Sequence, residues 1–152
     1  MIQFAMPLDK ITQRPVTYLY NWHGLKAMID TGSLFPVWVG EEKLLPLLGG
    51  KLLKSGVKFG GFGGDTKGNL YQMQIFQFGE LLFPCFHIIA HKMNLPCQLI
   101  LPATMFQKLR YEVDSENYVF NVTIPDKQSN VRNLIIEDNE GQLHVLCTSK
   151  DI

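Results

Sequence analysis

The residues best suited to chemistry stand together at Asp30-Thr31-Gly32-Ser33, directly after the apolar run Ala27-Met28-Ile29. A strand that ends on a carboxylate holds it at a set point, where it can take a proton from water or give one to a substrate. Taken alone, the four residues also fit an acidic turn capped by the Thr and Ser hydroxyls. Other constellations are weaker. Cys85, His87, His91 and Cys97 have the residue types of a metal site. In a strand, however, His87 and His91 stand about 13 Å apart by rise alone. Pro84 and Pro96 bracket the segment and Ile88-Ile89 favours strand over helix, so neither a metal nor a cofactor is expected. No cysteine has a context that would activate it as a nucleophile. Gly60–Gly64 lacks the Gly-Lys-Ser/Thr and the following helix of a phosphate-binding loop. Trp22 and Trp38 read as packing residues.

The elements around Asp30 read as strands. Short β-branched and aromatic runs alternate with Gly, Pro and Asn clusters, the pattern of an all-β chain. Strands are expected at Ile2–Met6, Val16–Tyr20, Leu25–Ile29 and Phe35–Val39, with a hairpin turn at Asn21-Trp22-His23-Gly24. Glu41–Leu53 is ambiguous, because its leucines favour helix while Pro46 and Gly49-Gly50 interrupt it. A long hairpin opens at Val57 and returns along Asn69–Phe78. Its tip holds five glycines in the nine residues Gly60–Gly68, a composition expected to be mobile. Leu81–His91 and Leu99–Leu101 read as buried strands and Ala103–Arg110 as a short helix after Pro102. Tyr118–Ile124, Leu134–Glu137 and Leu143–Cys147 complete the strands. With no repeat or linker, residues 1–152 read as one domain.

In this setting Asp-Thr-Gly-Ser after an apolar strand resembles the active-site loop of the retropepsin-like (retroviral-type) aspartic proteases. The glycine-rich hairpin, opening about 27 residues after Asp30, resembles their flap. Leu99-Ile100-Leu101 with the following helix, then Tyr111–Asp114 and Asn117–Val122, resemble the second buried strand, the helix and the closing strands. The resemblance spans about Val16 to Val122, by element order more than by identity. It implies a small closed acid-protease-like β-barrel with one short helix and a flap hairpin. It implies an aspartic endopeptidase acting on peptide or protein substrates. Peptide hydrolysis of this kind needs one carboxylate as base toward water and one carboxylic acid to polarise the carbonyl, and two aspartates held close share that proton.

By the same resemblance Asp30 is the catalytic acid, and Gly32 lets its loop approach a partner loop. Thr31 locks the two loops by hydroxyl-to-backbone bonds, and Ser33 bonds the outer carboxylate oxygen of Asp30. Phe59, Gly60, Gly61, Phe62, Gly63 and Gly64 hold an extended substrate from the flap. The chain has one Asp-Thr-Gly; Asp65-Thr66 is followed by Lys67 in a glycine turn and follows no apolar strand. A homodimer is therefore expected, with one Asp30 from each chain at a two-fold axis. In the family the terminal strands interleave, and Ile2–Met6 and Leu143–Cys147 are the candidates here. Two departures stand out: Pro102 where the family usually has glycine, and a tail, Thr123–Ile152, longer than a minimal subunit needs. The alternative is a catalytically silent barrel of the same fold that holds extended peptides as an interaction module.

Composition agrees with a folded domain: 152 residues, 46% hydrophobic and 18% charged. Fourteen basic residues balance fourteen acidic ones, so neither nucleic acid nor an anionic membrane is expected as a partner. The three cysteines, Cys85, Cys97 and Cys147, form no disulfide framework. With no leader-like pattern in MIQFAMPLDK, a cytoplasmic location is expected. The apolar stretch Leu81–Leu101 is broken by Pro84, His87, His91, Lys92, Asn94 and Pro96 and reads as no spanning helix. Asn121-Val122-Thr123 fits a glycosylation triplet, but without an export signal it reads as exposed strand.

Overall fold

A computed structural model describes residues 1–12, 14–60 and 66–149 of the chain. Strand β1 (Ile2–Pro7) leads to the hairpin of β2 (Val16–Leu19) and β3 (Leu25–Asp30). A 3-10 turn, Tyr20–Trp22, joins the pair and ends on His23 and Gly24 at φ of 55° and 73°. These left-handed residues reverse the chain as the Asn-Trp-His-Gly sequence leads one to expect. Short β4 (Val37–Trp38) precedes helix α1 (Leu44–Leu47). Pro46 is accommodated there because the first turn of a helix has no use for its missing N–H. Then come β5 (Gly50–Phe59), β6 (Thr66–Met73), β7 (Phe76–Phe78), β8 (Leu81–Phe83) and β9 (Phe86–Ala90). The chain closes with β10 (Leu99–Pro102), β11 (Arg110–Asp114), β12 (Val119–Ile124), β13 (Arg132–Asn139) and β14 (Gln142–Ser149).

The centre of the fold is β10, buried at all four residues. It runs parallel to β3, with Leu99 opposite Ala27 and Pro102 opposite Asp30, and antiparallel to β4. A strand covered on both faces needs a continuous apolar run, and Leu99-Ile100-Leu101 is one. Pro102 costs the ladder nothing internal, because it stands at the end of the strand. Two aromatic clusters fill the core. Trp22, Phe76 and Phe86 meet on one side, with centroids 4.9 Å apart for Trp22–Phe76 and 4.2 Å for the stacked Phe76–Phe86. Phe78, Phe106 and Phe120 meet on the other, at 5.3–6.0 Å, beneath the separate sheet β1-β12-β11.

The chain is mostly strand, as expected, but its sheets do not close into a barrel. Among the described residues, nine strands form one sheet along the path β14-β13-β9-β4-β10-β3-β2, with the β5–β6 hairpin branching from β9. The reason lies in β9. One of its edges takes β6 over its whole length, from Asn69↔Ala90 to Met73↔Phe86. The other is divided between β13 at Phe86 and β4 at Ile89 and Ala90. A strand used in this way branches the sheet instead of passing its curvature to a closing neighbour.

Two further expectations need correction. The helix expected over Ala103–Arg110 is a single 3-10 turn, Ala103–Phe106. Arg132 Nη1 donates to the carbonyls of Met105 and Gln107, both at 3.0 Å, and so braces the chain as it leaves this turn. Lys108 then adopts φ of 63° and turns the chain into β11. The long hairpin begins at Gly50, not Val57, and its return arm stops at Met73 before β7. Residues Ile2–Met6 and Leu143–Cys147 pair within the chain, with β12 and β13 respectively.

Candidate active site

Asp30 is the last residue of β3, half-buried, and the loop after it is shaped around its carboxylate. The Gly32 N–H donates to Asp30 Oδ1 at 3.0 Å, and the Ser33 N–H donates to the Asp30 carbonyl at 3.0 Å. A side chain at Gly32 would place its Cβ 3.3 Å from Asp30 Oδ1, so glycine keeps this approach open. Thr31 and Gly32 are exposed at the crest of the loop. Ser33 Oγ donates to the Phe35 carbonyl at 2.8 Å, and this is its bond in place of the one expected to Asp30. From the 3-10 turn, Thr104 Oγ1 donates to the Leu34 carbonyl at 3.1 Å. The loop is thus tied to itself and to the element following β10.

Asp30 opens onto a cleft of about 520 Å³, within the range of ligand pockets. The loop supplies Gly32, Ser33, Leu34 and Phe35; the sheet supplies Val37 and Ile100; His91 and Met93 follow β9. The end of the β5–β6 hairpin adds Phe59 and Gly60. Asp30 is the one carboxylate among the described residues lining it. Phe59 meets Phe35 edge-on at 6.5 Å and His91 edge-on at 5.5 Å, so the far end of the hairpin is packed onto the cleft wall. Of the hairpin residues singled out in the sequence, Phe59 and Gly60 stand at the cleft, while Gly61, Phe62, Gly63 and Gly64 lie outside the described residues.

The hairpin is anchored behind the cleft. Gly68 lies so close to β9 that a Cβ there would be 2.6 Å from the Ala90 carbonyl oxygen and 2.6 Å from Ile89 Cγ2. Asn69 and Tyr71 both donate to Glu42 Oε2, at 2.9 and 2.7 Å. Asn69 Oδ1 accepts the N–H of Gly56 at the irregular part of β5, at 3.0 Å. Burial, reinforced by the bond to Glu42, pushes the Tyr71 phenol up to about 12, so it remains a donor. On the outside, Lys54 pairs with Asp138 at 2.5 Å and joins β5 to the β13–β14 hairpin.

Sequence reasoning missed His91, Met93, Val37 and Ile100 as cleft residues. His91 was weighed only as a metal ligand, yet its Nδ1 lies 3.1 Å from the Lys67 carbonyl, which can only accept; Nδ1 therefore holds the proton. His87 is engaged elsewhere: its Nδ1 accepts the Ile136 N–H at 2.9 Å and its Nε2 faces Gln72 Oε1 at 3.3 Å. Among the described residues no three His, Cys, Asp or Glu side chains gather as a metal site. Burial raises the pKa of all three cysteine thiols, which disfavours the nucleophilic thiolate. Among the described residues no helix is long and apolar enough to cross a membrane.

No protein-family model matches the sequence, and no curated protein matches it either. Among solved structures, the chain is similar to a retropepsin-like aspartic protease from Rickettsia conorii, with a TM-score of 0.54 and 16% identity. The match covers 80% of this chain and 89% of that one. At this identity the likeness is one of fold: an acid-protease-like, mostly β architecture, reached with a largely different set of side chains.

Proposed function

We propose that the protein is an aspartic endopeptidase whose dyad forms when two copies each contribute Asp30. The observation that supports this reading best is the position of Asp30: the single carboxylate lining the cleft among the described residues, at the end of a buried strand, with its Oδ1 held by the Gly32 N–H. In such a dyad one carboxylate takes the proton of the attacking water and the other, protonated, polarises the scissile carbonyl. The water's oxygen bonds to the carbonyl carbon, the carbon–nitrogen bond breaks, and the leaving nitrogen takes up a proton. Thr31 and Gly32, exposed at the loop crest, are the groups a partner loop would meet. An extended substrate would lie between the loop and the hairpin, against Phe59 and Gly60, with apolar side chains among Leu34, Phe35, Val37 and Ile100.

The test is Asp30→Asn. An amide nearly keeps the shape of the carboxylate but serves as neither base nor acid, so peptide hydrolysis is expected to fall by at least about 10²-fold with the fold intact. Hydrolysis by this variant at the wild-type rate would remove the enzyme reading. A wild-type chain that binds peptides and cuts none would favour the interaction module.

A further inference from the structure

Beside the cleft at Asp30 lies a second compartment of about 400 Å³. The two share the wall made by Leu34, Phe35, Phe59 and Gly60. The far wall of the second is the turn of the β13–β14 hairpin, from Gly141 to His144, and Lys58 stands on its rim. This hairpin belongs to the tail that exceeds what a minimal subunit of the resembled kind needs. Leu34, at the junction, is 64% exposed although it is a large apolar residue next to Asp30.

We infer that the β13–β14 hairpin is a substrate-binding arm: its turn reads an apolar side chain of an extended peptide several residues from the bond at Asp30. This rests on the proteolytic reading of the cleft and adds a subsite to it. Four observations carry it. The compartment adjoins the cleft across Leu34, Phe35, Phe59 and Gly60, so a chain leaving the cleft past these residues meets it next. An extended chain advances about 3.3 Å per residue, so residues beyond the cut necessarily leave the first compartment. Leu34 and Leu143 present apolar surface on its two sides, while Lys58, Gln142 and His144 supply a polar rim for the peptide backbone. The Lys54–Asp138 pair links β13, just before the turn, to β5, the strand that carries Phe59.

The test uses the full-length Asp30→Asn chain, which would bind without cutting, and two peptide libraries with a fixed central Phe-Phe pair. One library has four residues, the other ten. Amide shifts are followed at Phe35 and Gly60 for the cleft, and at Gly141, Gln142, Leu143 and His144 for the arm. The expected result is that both libraries move the cleft amides and only the longer one moves the arm. In the wild-type chain, the exposed-residue double variant Gln142→Ala/His144→Ala and, separately, Leu143→Ser should raise KM for the longer peptides about fivefold. The kcat should be unchanged, and so should turnover of the tetrapeptides. Cleft amides that move with the longer peptides while the arm stays still would overturn the inference and leave the proteolytic reading standing. If neither library moves the cleft amides, peptide binding at Asp30 fails and the arm's role fails with it.

Discussion

Asp30 and His87 both stand on strands, and the strand environment gives them opposite tasks. Asp30 emerges where β3 ends, so its carboxylate reaches the cleft and the Gly32 N–H together. His87 points inward from β9 and is buried, with the Ile136 N–H as donor to its Nδ1 and Gln72 Oε1 at its Nε2. The neutral ring satisfies both; a second proton would leave two N–H groups facing each other. Burial accordingly holds the His87 imidazole below its ordinary value of 6.5. In the window between that lowered value and 6.5 the unfolded chain binds a proton that the folded chain refuses. The contribution of His87 is therefore complete above 6.5 and falls as pH drops through the window. Urea unfolding measured at steps of pH should show stability declining below pH 6.5, and His87→Asn should flatten that decline. An unchanged slope in the variant would assign the decline to other groups.

At the scale of elements, the β5–β6 hairpin depends on one close approach. Gly68 faces the backbone of β9, and an added Cβ would stand 2.6 Å from the Ala90 carbonyl oxygen, an atom that the ladder holds in place. Gly68→Ala should therefore push β6 off β9 and lower stability by about 1–3 kcal/mol. The shift of the denaturant midpoint measures it, and a neutral midpoint would mean that the ladder yields more readily than the geometry implies. The same hairpin delivers Phe59 and Gly60 to the cleft. If it covers substrate, amide exchange at Phe59 and Gly60 should slow when a peptidomimetic inhibitor binds. Exchange unaltered by bound inhibitor would leave the hairpin as a wall with no covering role.

For the whole molecule, the decisive matter is the number of carboxylates. Among the described residues the chain brings one to the cleft and the proposed chemistry needs two, so assembly would build the site as well as stabilise it. Specific activity is expected to fall on dilution, and excess Asp30→Asn chains should suppress wild-type activity through mixed dimers. Sedimentation showing a fully active monomer at assay concentration would refute the shared site. At the ends of the chain, β1 pairs with β12 and β14 with β13, and among the described residues each is the outer strand of its sheet, so its second edge is open to a partner. The exposed crest at Thr31 and Gly32 is the surface a partner loop would meet near the two-fold axis.

The sequence by itself determined the β character, most strand positions and the place of Asp30. Each of these is a local matter: alternation of apolar residues, glycine at turns, and a polar tetrapeptide closing an apolar run. It also marked the far end of the hairpin at Phe59 and Gly60, because glycine density is legible without contacts. The tertiary structure decided what depends on partners distant in the chain. Where the helix expected after Pro102 gives way to a turn, Arg132 binds the Met105 and Gln107 carbonyls, 25 to 27 residues away. The divided edge of β9 leaves the sheet branched where a closed barrel was expected. His91, Met93 and Ile100 join the cleft because β10 is inserted between β3 and β4, bringing together residues that no local pattern connects. The turn of β13–β14 comes beside the cleft for the same reason: β13 joins the sheet through β9 and its Asp138 meets Lys54, contacts that no linear reading contains.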